Sequence, residues 1–410
     1  MSFTTEPRRN DNTIRRHQSL KVDQTERGTT EDVVDDEAFT PVIAIETGLH
    51  QWSMPIRFNI QLRTGYDSNP WSEHDGYRGS LFSSAFLSTN YRFGSPRMQF
   101  STEAGGGATF YYDRPGRQMD WNAFLRLTLD YELNHRTSFT VNNNFRYIPD
   151  GDFYTVGGNI RSGYEHVYEN ITMAMRFAIN QRLMSTTSAN FTLFHYFNSD
   201  MNNTSGRYDY SLSESLGFLL NPQTTLSAIY RFNMVNYQSG DFSSMGHYAL
   251  LGADYVFSEN LRMRLEGGAE IRHYQNDIRG DGNYFGPFGE LLLNYQITSR
   301  SNVEWGFRYG SESGDASYVK RMNVFRTHVR YHQAFTTRFS GNINFGYQNR
   351  DYYDPSYTEN AIHGGINMRY RVHRQMALEL GYTGTALFNS QNSNADYWRH
   401  VCYLGAFIDL

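Results

Sequence analysis

From about residue 56 to residue 410 the chain alternates apolar and polar residues in segments of roughly ten to fourteen, the period-two signature of strands with one apolar face. Such a strand keeps its apolar residues at every second position for its whole length. In residues 121 to 133, Trp121, Ala123, Leu125, Leu127, Leu129, Tyr131 and Leu133 form one face, against Asn122, Arg126, Thr128, Asp130 and Glu132. Residues 261 to 272 set Leu261, Met263, Leu265, Gly267, Ala269 and Ile271 against Arg262, Arg264, Glu266, Glu270 and Arg272. Near the start, Ile56, Phe58, Ile60 and Leu62 oppose Arg57, Asn59, Gln61 and Arg63.

The connections sort into two classes. Very short ones fall at Gly94 to Pro96, Asn134 to Thr137, Ser258 to Asn260, Thr298 to Ser301, Thr336 to Arg338 and His373 to Gln375. Longer ones, rich in Asp, Asn, Gly and Ser, include Ser68 to Gly79, Arg114 to Met119, Pro149 to about Tyr168, Asn198 to Arg207, Ser311 to Tyr318 and Asp351 to Glu359. Short turns alternating with long loops along an antiparallel meander are the pattern of a transmembrane β-barrel. A soluble sandwich has no reason to sort its turns this way, and its strands are shorter. So many long strands with one apolar face need something large to cover that face, and lipid does so without further protein.

Aromatic placement points the same way, because Tyr and Trp favour the membrane–water interface. Tyr91, Tyr131, Tyr255, Tyr295, Tyr331 and Tyr370 each precede a short turn on the apolar parity and read as a membrane-interface girdle. Phe110, Tyr111, Tyr112, Tyr147, Tyr196, Tyr237 and Tyr274 precede long loops and supply candidates for a second belt.

The expected fold is therefore all-β: a transmembrane antiparallel up-and-down β-barrel of about eighteen strands, with sixteen as the alternative count, of bacterial outer-membrane type. It spans residues 56–410. Residues 39–55 form a lead-in segment or an extra strand, and residues 1–38, polar and charged throughout, read as a disordered arm. Met1 to Asn10 holds no apolar h-region. An outer-membrane location thus entails a signal peptide truncated or removed from this sequence.

Composition closes off other classes. No apolar run approaches the ~18 residues of a membrane-spanning helix. The single cysteine, Cys402, excludes an intramolecular disulfide and a Cys-rich zinc site. A net charge of −5 does not fit a nucleic-acid binder.

The segment Gly65-Tyr66-Asp67-Ser68-Asn69 after the first strand, the repeated strand, turn, strand, loop unit, and the closing run Asn394-Ala395-Asp396-Tyr397 resemble a family of β-barrel porins of bacterial outer membranes. That family commonly accompanies exopolysaccharide and capsule production, and the resemblance covers roughly residues 50 to 410. It implies a channel and, as one cargo, exported polysaccharide. The chain departs from the pattern at its end, Phe407-Ile408-Asp409-Leu410, where such barrels usually finish on an aromatic residue.

Function is sought in the polar parity. Arg57, Arg63, Arg126, Asp130, Arg231, Arg262, Arg264, Glu266, Glu270, Arg272, Glu304, Arg308, Arg326, Arg330, Arg369 and Glu379 are the candidate lumen-lining residues. They read either as a salt-bridged interior that stiffens the barrel or as a hydrated passage with a mild cationic bias for anionic solutes or acidic glycans. Phe124, Phe194, Phe288 and Tyr403 share that parity and could stack on sugars or fill space.

The expected function is an outer-membrane porin-like channel, and not an enzyme. The alternatives are an outer-membrane hydrolase with a rim active site and a plugged structural barrel. No His-Glu-x-x-His, Gly-x-Ser-x-Gly or P-loop lysine occurs, and no cofactor or metal is expected. Glu73-His74-Asp75 is the nearest hydrolase candidate, and the cluster Asn276, Asp277, Asp281, Gly282 and Asn283 the nearest calcium candidate, without EF-hand spacing. Expected partners are outer-membrane lipid and lipopolysaccharide, the barrel-assembly machinery, and polysaccharide or small anionic solutes; nucleic acid is not expected. Glu214 breaks the pattern, lying on the apolar parity of Tyr210, Leu212 and Leu216.

Overall fold

The computed structural model describes residues 56–72, 78–149, 165–198, 206–238, 243–275, 283–312, 321–353, 356–390 and 396–410. The arm at 1–38, the lead-in at 39–55, Glu73-His74-Asp75, and the candidate calcium residues other than Asn283 lie outside the described residues.

Eighteen strands follow one another without a helix among the described residues. They are β1 Ile56–Asp67, β2 Ser80–Ser95, β3 Met98–Tyr111, β4 Met119–Asn134, β5 Thr137–Ile148, β6 His166–Ala178, β7 Leu183–Tyr196, β8 Arg207–Asn221 and β9 Thr224–Tyr237. The second half comprises β10 Ser244–Ser258, β11 Leu261–Tyr274, β12 Asn283–Thr298, β13 Ser301–Glu312, β14 Arg321–Ala334, β15 Phe339–Tyr353, β16 Tyr357–His373, β17 Met376–Asn389 and β18 Tyr397–Asp409. Each strand pairs antiparallel with its successor, and β1 pairs with β18, setting Gln61 opposite Phe407 and Asp67 opposite Val401. The sheet is closed, so no strand edge is left to satisfy.

The tight turns have a local cause. The residue ending one strand lends an oxygen to amides just beyond it: Asn134 Oδ1 accepts from Arg136 N at 2.8 Å, and Asn221 Oδ1 from Gln223 N at 2.9 Å. In two other turns a residue within the turn does the same for the first amide of the next strand: Asn180 Oδ1 accepts from Leu183 N at 2.9 Å, and Thr336 Oγ1 from Phe339 N at 2.9 Å. Asn and Thr form such self-closing turns readily. Register shifts at Glu132/Asn134, Leu219/Asn221 and Arg371/His373 bend the chain back at the same rim.

The two faces differ in kind. On β8, Arg207, Asp209, Ser211, Ser213 and Ser215 are buried, while Tyr208, Tyr210, Leu212, Leu216 and Phe218 are exposed. Leu251 and Phe285, each 73% exposed, stand on the outer face, whereas Glu270 and Tyr248 are fully buried on the inner one. This barrel is inside out relative to a soluble one. Each outer Leu or Phe would gain about 1.5–3 kcal/mol on leaving water, which a hydrocarbon surround supplies.

Two expectations need correction. β6 begins at His166, inside the stretch expected to be loop up to about Tyr168. His166 and Tyr168 pack inward near Ile148, Phe194 and Tyr196; the acidic Glu169 on the outer parity hides this start in the sequence. The second aromatic belt is also redrawn. Tyr111, Tyr196, Tyr237 and Tyr274 are buried on the inner face, and the exposed rings near the long loops are Tyr66, Tyr112, Trp121, Tyr208, Tyr353 and Trp398. The ring's parity, not its position before a loop, decides which side it faces.

Candidate functional site: the charged inner wall

The sixteen charged candidates all sit on the inner parity. Arg57 and Arg63 are on β1, Arg126 and Asp130 on β4, Arg231 on β9, and Arg262, Arg264, Glu266, Glu270 and Arg272 on β11. Glu304 and Arg308 lie on β13, Arg326 and Arg330 on β14, Arg369 on β16 and Glu379 on β17. The six girdle tyrosines lie on the outer parity, each three or four residues before its strand ends at a short turn.

Pairing of successive strands joins the inner charges into a network running from β9 to β16. Arg231 Nη2 reaches Glu266 Oε2 at 3.5 Å, and its guanidinium lies 5.4 Å from the centre of the Phe288 ring. Arg308 approaches the same ring at 5.6 Å, so Phe288 stands between two cations. Arg272 Nε donates to Glu270 Oε1 at 2.7 Å, and its Nη2 donates to Tyr248 Oη at 2.9 Å and Ser311 O at 3.2 Å. Glu312 accepts from Arg326 and lies 3.6 Å from Arg308. Gln348, with its amide oxygen turned to the arginines, accepts from Arg326 Nε and Arg350 Nε at 3.0 Å, and Arg350 pairs with Glu359 at 2.8 Å.

A second group spans the closure seam. Glu379 accepts from Arg63 Nη2 at 3.2 Å and from Tyr403 Oη at 2.9 Å, while Arg369 stacks on Phe407 at 4.7 Å. Toward the short turns the pairs are more exposed: Glu304 with Arg330 at 3.0 Å and His328 at 3.4 Å, Asp254 with Arg264 at 2.9 Å, and Glu103 with Arg126 at 3.4 Å.

Inner rings lie flat because glycines make room for them. A β-carbon built on Gly381 would overlap the Tyr403 ring, and one on Gly306 would overlap His328. Without a side chain beneath it each ring hugs the wall instead of projecting from it.

Several nitrogens remain without a protein partner. Arg231 Nε and Nη1, Arg326 Nη1 and Arg369 Nη1 are buried and make no hydrogen bond among the described residues. A buried guanidinium N–H demands an acceptor, and water or an anion can supply it.

Sequence reasoning misses Glu312 and Glu359 because they fall in segments that read as loops, Ser311 to Tyr318 and Asp351 to Glu359, and it misses Arg350 although that residue closes a segment that reads as strand. Parity could have found two of them: Glu312 continues the Glu304 and Arg308 series, and Glu359 continues that of His363, Asn367 and Arg369. Arg114 is another omission. It binds both carboxylate oxygens of Asp120, at 2.6 and 2.5 Å, and stacks on Tyr111 at 4.2 Å and Trp71 at 4.5 Å. Among the described residues, no three His, Cys, Asp or Glu side chains are grouped to hold a metal ion.

A family model described as "Putative beta-barrel porin 2" matches residues 324–409, the stretch from β14 to β18. No curated protein matches the chain. Among solved structures, it is similar to OpdK of Pseudomonas aeruginosa bound to vanillate, at 10% identity over 87% of this chain and 99% of that one, with a TM-score of 0.46. Acinetobacter baumannii OccAB4 is similar at 10% identity over 87% and 99% of the two chains, TM-score 0.44. The Pseudomonas aeruginosa ferric enterobactin receptor PfeA follows at 7% identity over 88% and 81%, TM-score 0.45.

Proposed function

We propose that this protein is a porin-like channel of the bacterial outer membrane whose inner wall favours small anionic solutes. The membrane placement is supported by the exposed apolar face around a closed antiparallel barrel, since hydrocarbon accepts that surface and water penalises it. The anion preference is carried by Arg231. Two of its nitrogens lack partners, its contact to Glu266 is long, and the Phe288 face beside it lends no hydrogen bond. Those nitrogens are buried, so Arg231 acts through its charge: weakly neutralised by its long contact to Glu266, it raises the potential along the wall and favours a passing carboxylate or phosphate.

The test is conductance of the refolded, heat-modifiable barrel in a planar bilayer, with reversal potentials measured in a salt gradient. Stable steps with anion preference support the proposal; a folded barrel that does not conduct overturns it. Export of an acidic polysaccharide rests on the family resemblance, and block of the steps by acidic oligosaccharides in the same bilayer tests it.

A further inference from the structure

Where the wall meets the long loops, β9, β10 and β11 gather four soft ligands on their outer face. Met245 and His247 sit two residues apart near the start of β10, on the parity of the exposed Leu251. Register sets Met245 directly opposite Met234 of β9 on one side and His273 of β11 on the other. Side chains paired in this way on one face have β-carbons about 4.5–5.5 Å apart. The His247 and His273 rings meet edge to face with centres 6.2 Å apart. Two imidazoles that share a metal ion through one nitrogen each have ring centres about 5–6.5 Å apart.

Hydrogen bonds fix which nitrogen each ring offers. His273 Nδ1 lies 2.5 Å from Asn283 Oδ1, and because a carbonyl oxygen only accepts, the proton is on Nδ1 and the lone pair on Nε2. His247 Nδ1 lies 2.8 Å from Tyr230 Oη, whose oxygen can accept in the same way. Neither Nε2 has a hydrogen-bond partner among the described residues. A ring held at Nδ1 and open at Nε2 is the arrangement of a metal-ligating histidine.

We propose that Met234, Met245, His247 and His273 form a binding site for a soft monovalent metal ion, Cu(I), at the long-loop edge of the outer wall. Two thioethers beside two imidazoles select Cu(I) over hard cations, whereas Zn(II) is held by imidazole with thiolate or carboxylate. All four ligands are neutral, so the loaded site carries a single positive charge, where a divalent ion would leave two beside the apolar belt. Phe232 packs on His247 with ring centres 5.2 Å apart and steadies that imidazole. The rotatable bonds of methionine bring sulfur to the ion without moving a strand. Binding is coordination alone, with no electron transferred.

The test uses the tag-free Cys402→Ser barrel, which lacks the free exposed thiol. Cu(I), kept reduced by ascorbate without oxygen, is titrated against a colorimetric chelator, and Ag(I) serves as a redox-inert second probe. The expected result is one ion per chain, with Met245→Leu and His273→Gln each weakening binding about tenfold or more. X-ray absorption of the bound copper should show a sulfur shell that Met234→Leu with Met245→Leu removes. Heat modifiability reports folding of each variant, and His247→Gln carries the test if His273→Gln folds poorly. His400→Gln is the control, since His400 also meets a tyrosine hydroxyl, Tyr382 Oη at 2.9 Å, and should leave binding unchanged. A folded barrel that binds no Cu(I), or whose binding survives loss of both His273 and Met245, overturns the site. Zn(II) held as tightly as Cu(I), with Met245→Leu without effect, overturns the copper assignment.

Discussion

The Tyr403 ring lies flat over Gly381 and its hydroxyl donates to Glu379 Oε1 at 2.9 Å, so one glycine sets both the bore and a buried ion pair. Gly381→Val would drive the ring off the wall. The expected outcome is a smaller unitary conductance and a loss of about 1–3 kcal/mol from overpacking, read by bilayer recording and urea unfolding. Tyr403→Phe keeps the ring and should leave conductance unchanged.

Arg272 and Glu270 are 1% and 0% exposed and paired at 2.7 Å. Arg272→Met leaves an unpaired buried carboxylate, and the expected loss is about 3–5 kcal/mol. Arg272→Met combined with Glu270→Met should cost much less than the sum of the single changes. Equal, additive losses in urea unfolding would mean that the two side chains do not act as a pair.

Replacing Arg231 by Gln removes the charge with the unpartnered nitrogens. A unit charge about 7 Å from a passing ion contributes about 0.6–2.4 kcal/mol at effective dielectric constants of 80 to 20. The anion-to-cation permeability ratio should therefore fall several-fold in dilute salt, and the difference should fade toward 1 M as screening shortens. Unchanged reversal potentials would remove Arg231 from the ion path.

Depth on the outer face can be read with arginine. Leu251 lies midway along β10 and Tyr255 three residues from its turn. Leu251→Arg should destabilise the barrel in lipid by about 2–4 kcal/mol and Tyr255→Arg by about 0–1 kcal/mol. Equal effects at both positions would contradict a hydrocarbon belt centred on Leu251.

The alternation made the wall legible, because a strand that separates two environments writes them into odd and even positions. It placed all sixteen charged candidates on the inner parity and exposed Glu214 as an exception. It was silent where the pattern is broken by an outward acid, as at Glu169, or where a strand runs on into Asp- and Asn-rich sequence, as at Glu312 and Glu359. Tyr111 and Tyr274 stand before loops as outer-belt candidates do, yet face inward, because position before a loop does not distinguish the two faces.

What the sequence determined by itself is local: strand, turn, and which side each residue takes, since these depend on neighbours two to four positions away. Which charges meet was decided by strand pairing and, at the seam, by closure of the sheet. Arg63 finds Glu379, and Arg231 finds Glu266, because the register of neighbouring strands and the β1 to β18 seam bring them to one level. Those distances depend on strand pairing and stagger around the ring, and no short stretch of sequence records them.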